Sequence, residues 1–159
     1  MASLTLNYDD LFASFLGAIT DYKLASLDQS DAYQLMAGYL RKTIARSYIK
    51  RLFTTSSLDD ETQIFTFELR HPTNSENDED MLEWVKLILS KGMVVEWCEP
   101  MVRSVVNMSQ FFGGKENKYY SQAQHLSELR GLLEDAKLEL RREIADRGYI
   151  NNTYLGNVK

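Results

Sequence analysis

Two histidines, one cysteine and two crowds of carboxylates are the residues of this sequence whose types lend themselves to chemistry. His71 stands in the polar stretch HPTNSENDEDM and His125 near the start of a leucine-rich run; neither has a serine, cysteine or acid around it in the setting of an activated nucleophile. FFGGKEN lacks the spacing, and the Ser or Thr after lysine, with which a phosphate-binding loop cradles phosphate and magnesium, so Gly113 and Gly114 are read as bending the chain. The acids of DDE (Asp59 to Glu61) and ENDED (Glu76 to Asp80) are hard oxygen donors, but neither run follows the calcium-loop order with its central glycine and terminal bidentate glutamate. Cys98 has no second cysteine to bridge and lies in an apolar run, the setting of a buried, inert thiol. The expectation is a chain without catalytic residues, metal or cofactor.

The charges are more informative. Eighteen basic and twenty-three acidic residues give a net charge of -5, which argues against phosphate-backbone binding as the main task of the surface. They are also sorted. RKTIARSYIKRLF carries Arg41, Lys42, Arg46, Lys50 and Arg51 with no acid among them, and the stretch from Asp59 to Glu83 is acidic with Arg70 as its counter-charge. The basic block is the one nucleic-acid candidate, with Tyr48 available to stack on a base. Its rivals are a partly buried helix that wets its far side, and a face that pairs with Asp59, Asp60 and Glu61 of an adjacent copy, since rings close through complementary, non-identical faces.

The elements that must position these charges follow from periodicity. At 159 residues the chain suits one ordinary core. Leu11, Phe12, Phe15, Leu16, Ile19 and Tyr22 form one stripe of a first helix, capped by Asp9 or Asn7; Tyr33, Met36, Ala37, Leu40 and Ile44 form the stripe of a second, capped by Asp28. QIFTFEL alternates with period two, predicting a strand over Ile64–Leu69 that needs a partner from within the chain or from a neighbouring copy. A third helix carries Met81, Trp84, Val85, Ile88, Leu89, Met93, Val94, Trp97 and Cys98, with a kink or restart expected at Pro100. A fourth runs from about Ser121, in a capping box with Gln124, to a glycine cap at Gly148. The fold expected is mainly α: a bundle of about four helices with a strand and loop insertion at about 54–80. The start, MASLTLNYDDLFASF, is expected to be neither signal peptide nor anchor, and no run reaches the roughly 18 apolar residues of a membrane span.

RGYINNTYLGNVK remains. After a helical domain over 1–148, residues 149–159 place Tyr149, Ile150, Tyr154 and Leu155 among asparagines, where each large side chain gains on the order of 1.5 to 3 kcal/mol if something covers it. Such a segment folds back, frays, or docks on another protein as an arm, and tyrosine anchors are a composition favoured at protein contacts.

Taken in order, ITDYKLASLDQSDAYQLMAGYLRKTIARSYIKRLF and VVEWCEPMVRSVVNMSQFFGGKENKYYSQAQHLSELRGLLEDAKLELRREIADRGYINNTYL resemble the head-to-tail adaptor (connector) proteins of tailed-bacteriophage necks. The likeness is one of pattern and order over most of the chain. It implies a structural virion protein, made in the cytoplasm of a bacterial host, that forms a homo-oligomeric ring of about twelve copies between the portal and a tail-proximal neck or tail protein. DNA would pass through its lumen without specific binding, and no membrane is involved. The resemblance also implies that the arm docks on the portal, through Tyr149, Ile150, Asn151, Asn152, Tyr154 and Leu155 by position and composition. The alternative is a nucleic-acid-binding packaging protein, a small terminase-like ring component that uses the basic block on DNA.

Overall fold

The computed structural model describes residues 3–19, 22–70, 77–111 and 116–150, with side chains described over 3–19, 24–70, 77–104 and 124–147. The chain is mainly helical with a small antiparallel sheet. A short strand β1 (Leu4–Asn7) leads into α1 (Tyr8–Gly17) and α2 (Tyr22–Ser26). Next come α3 (Gln29–Ala45), α4 (Ser47–Lys50), the hairpin strands β2 (Phe53–Asp59) and β3 (Ile64–Leu69), and two long helices, α5 (Asp78–Phe111) and α6 (Glu116–Ile150).

The strand expected over Ile64–Leu69 is β3, and its partners come from its own chain: the sheet order is β1-β3-β2, with both pairings antiparallel. Period-two alternation turns Phe65, Phe67 and Leu69 into the core. Phe53 of β2 packs edge-on against Phe65 and Phe67 at 5.6 and 5.4 Å between ring centroids. Leu6 of β1 is buried opposite Phe65. A three-stranded sheet with one greasy face satisfies the central strand, so no neighbouring copy is required for it.

Four helices were expected and six are found among the described residues, because the first and second each divide. α1 ends at Gly17 and α2 begins at Tyr22, and Arg46 adopts an extended backbone between α3 and α4. Asn7 and Asp28 occupy the N-cap positions of α1 and α3, but neither side chain caps; the Asp28 carbonyl accepts the Ala32 N–H at 2.9 Å instead. Tyr8, Leu11, Phe12 and Phe15 form the buried stripe of α1, and Met36, Ala37, Leu40 and Ile44 that of α3. Leu16, expected on the first stripe, is exposed.

α5 is the centre of the molecule, in contact with α1, α3, β1 and α6. Flanked this way, it is buried nearly all round: Ile88, Leu89, Met93, Val94, Val95, Trp97 and Cys98 are all inside. Gly92 lets α3 come close, since a Cβ there would meet Thr43 Cγ2 at 2.3 Å. α5 runs through Pro100 without a break, contrary to the expected restart. Proline removes one helical hydrogen bond and costs about 3 kcal/mol or more, but the turns on either side are held by burial of Val94 to Cys98 and by packing of Met101 and Val102 on the core.

α6 packs antiparallel to α5. Lys91 pairs with Glu139 at 3.0 Å, and the Cys98 thiol donates to the Leu129 carbonyl at 3.6 Å. Burial pushes that thiol's pKa up, which keeps it protonated and unreactive. α6 starts earlier and ends later than expected, so Ser121 and Gly148 both lie inside it and neither the capping box nor the glycine cap forms. Among the described residues no helix is long and apolar enough to cross a membrane.

Candidate functional site

The basic block spans the end of α3, all of α4 and the turn after it, and its cations serve different purposes. Arg41 reaches across to Asp60, in the turn between β2 and β3, as an exposed ion pair. Tyr8 donates to the other oxygen of the same carboxylate at 3.0 Å. The Asp60 turn is itself ordered: Asp59 Oδ1 accepts the N–H groups of Glu61 at 2.9 Å and Thr62 at 3.2 Å, and these bonds, with one from the Thr62 side chain, lower the Asp59 pKa. Gln63 closes the turn in the left-handed region at φ 58°. Its carbonyl accepts the Tyr8 N–H at 2.9 Å, which ties the start of α1 to the sheet.

An open groove of about 1030 Å³ lies here, lined by Tyr8, Asp9, Asp28, Tyr33, Arg41 and Asp60 among others. Burial, then the hydrogen bond and charge of Asp60, raises the Tyr8 pKa well above the ordinary phenol range. The Tyr33 pKa rises through burial and the nearby charges of Asp9 and Asp60, and its buried hydroxyl has no hydrogen-bond partner among the described residues. This side of the molecule is acidic and hydrogen-bonding.

Arg46 does something else. The extended residue between α3 and α4 sends its guanidinium to α5, where Nε donates to Glu96 at 2.6 Å and a terminal nitrogen to Glu99 at 3.1 Å. Lys137 of α6 approaches Glu99 at 3.6 Å. Glu96 is buried at 4% exposure inside the most apolar stretch of the chain, and its hydrogen bond raises the Arg46 pKa further. Three helices are thereby tied by one network of charges.

Beside that network lies a second groove of about 690 Å³, bounded by α4, α5 and α6. Its floor is Leu52, Val95, Leu140 and Ile144, and its edges carry Arg46, Arg51, Lys137 and Arg141 against the single acid Glu99. Arg51 and Arg141 are exposed and form no ion pair among the described residues, and the same holds for Lys42 and Lys50.

The residues assigned to contacts between copies are therefore divided. Arg41, Arg46 and Asp60 are engaged within one chain; Asp59 orders its own turn; Lys42, Lys50, Arg51 and Glu61 stand exposed. Of the residues assigned to the docking arm, Tyr149 and Ile150 form the last turn of α6, and Asn151, Asn152, Tyr154 and Leu155 lie outside the described residues. His125 is exposed on α6, and His71 lies outside the described residues. Among the described residues no three His, Cys, Asp or Glu side chains come together as metal ligands.

Sequence reasoning passed over Glu96, Glu99, Lys137 and Tyr8, and read Tyr33 only as part of a core stripe. A signal existed for the first two: acids in an otherwise greasy run such as MVVEWCEPM must find a counter-charge when the run is buried. It also missed the contact of Arg147, which is buried with its guanidinium 4.2 Å over the Trp84 ring, holding the end of α6 to the start of α5. No protein-family model, curated protein or solved structure matches this chain.

Proposed function

We propose that the chain is a structural adaptor of a tailed-phage neck, a helical bundle with a sheet-bearing insertion that assembles into a ring between portal and tail. The resemblance in pattern and order suggests this, and one observation carries it furthest. Arg147, stacked on Trp84, holds the last turns of α6 beside the start of α5, so the base of the proposed arm is fixed. An arm that must find a pocket on another protein gains from a rigid base, because less freedom is lost on docking. Tyr149, Ile150, Tyr154 and Leu155 are its anchors in this reading, and the portal is the partner.

The charge fits passage of DNA. Twelve copies at -5 would carry roughly -60, and a lumen of that sign repels phosphates, so the duplex slides without sticking. The acids between Asp59 and Glu83, apart from those in the first turn of α5, are proposed to face the lumen or the tail side. The packaging alternative loses ground because two of its five cations, Arg41 and Arg46, are neutralised by carboxylates of their own chain.

Deleting residues 151–159 tests the reading. The described core ends at Arg147, so the shortened chain is expected to unfold at the temperature of the full one, yet to bind isolated portal rings at least about a hundredfold more weakly as the anchors Tyr154 and Leu155 go. Undiminished portal binding by the shortened chain would refute the docking arm.

A further inference from the structure

We infer that the groove between α4 and α6 receives the acidic first turn of α5 from a second copy of the chain, in a head-to-tail contact. The two surfaces are complementary in charge. In the groove Glu99 is consumed by Arg46 and Lys137, which leaves the exposed cations Arg51 and Arg141 in excess above an apolar floor. At the start of α5, Asp78, Glu79 and Asp80 are exposed and form no ion pair among the described residues. That turn is held in shape because Asn77 Oδ1 accepts the Asp80 N–H at 2.8 Å.

The two surfaces do not meet within one chain: among the described residues no ion pair links Arg51 or Arg141 to Asp78, Glu79 or Asp80, and Val95 on the groove floor lies roughly 26 Å along α5 from Asp78 at 1.5 Å per residue. The acids of one copy must therefore meet the groove of the next, and a contact between different faces propagates until it closes as a ring or continues as a filament. The inference deepens the ring reading above and rests on it only for closure and copy number.

Charge reversal tests it without the portal. Arg51→Glu with Arg141→Glu inverts the groove, and Asp78→Lys with Glu79→Lys inverts the helix start; all four together restore the net charge of -5. Sedimentation of the full chain over a range of concentrations is the readout, with circular dichroism confirming that each variant is folded. The wild-type chain should self-associate, less so as salt rises from about 0.1 to 1 M and the screening length falls from about 10 to 3 Å. Each single-face variant should associate at least about tenfold more weakly, and the four-fold variant should recover. A wild-type chain that stays monomeric throughout would overturn the contact, as would association that simply tracks net charge, or a four-fold variant that fails to recover. So would retention of duplex DNA by the wild type that disappears with the groove cations, which would make the groove a nucleic-acid site. Recovery in the four-fold variant alongside failure to bind portal would remove the adaptor reading and leave this contact standing; portal binding with unaltered association in all variants would do the reverse.

Discussion

Arg41 and Arg46 belong to the same basic stretch and both meet carboxylates, one in solvent and the other against the core. Arg41 and Asp60 keep 50% and 54% of their side-chain area exposed, whereas in the second pair Arg46 keeps 42% but Glu96 only 5%. Water screens the first pair, and such pairs contribute about 0 to 1 kcal/mol. Around Glu96 little water remains to replace a lost partner. Removing one member of a pair so placed strands a charge, at a cost of about 3 to 5 kcal/mol. A run of like charges in a sequence is thus not one functional patch: part of it can be structural and part left over for partners.

The comparison can be broken most forcefully at Arg46. Arg46→Ala is expected to lower stability by about 3 kcal/mol or more in chemical denaturation, because both Glu96 and Glu99 lose their guanidinium. Glu96→Gln made with it should recover part of that loss, since the stranded charge is then gone.

Tyr8 probes the surface side. Tyr8→Phe removes the hydrogen bond to Asp60 and should cost about 1 kcal/mol at neutral pH. It should also alter the alkaline limb. The Tyr8 pKa is raised in the folded chain above its ordinary value of 10.0, so the folded state holds the phenolic proton more tightly. That contribution is complete below pH 10 and declines as pH rises above it, so the wild type loses stability more steeply than the variant above pH 10. Urea midpoints at several pH values up to about 11 read the difference. The smallest effect belongs to Arg41→Ala, about 0.5 kcal/mol and diminishing with added salt. A loss as large as that at Arg46 would erase the distinction.

The parts of the fold that announced themselves were those with strong periodicity. β3 was readable because Phe65, Phe67 and Leu69 alternate with Thr66 and Glu68, and the core stripe of α3 because Met36, Ala37, Leu40 and Ile44 recur at helical spacing. β1 and β2 were not. β1 is four residues long, and β2 is an edge strand whose FTTSSLD buries Phe53 and half-buries Leu58 with four exposed residues between, so neither carries a pattern beyond the pairing that β3 supplies. Of the kink or restart expected at Pro100, the restart does not occur, because a local rule yields when both flanks of the helix are packed. The basic and acidic blocks were visible as composition, but which cation meets which acid depends on pairs as distant as Arg46 and Glu96, which no local pattern encodes. The cation over Trp84 is of the same kind: Arg147 at the end of α6 meets a ring at the start of α5, more than sixty residues away in the chain.

The adaptor reading stands or falls on whether this chain joins a portal ring. Native mass spectrometry of the purified chain mixed with portal rings measures that directly. The account predicts added mass in steps of 18.4 kDa, saturating near twelve copies, and absent for the chain without residues 151–159. Portal rings whose mass is unchanged by an excess of the full chain would contradict it.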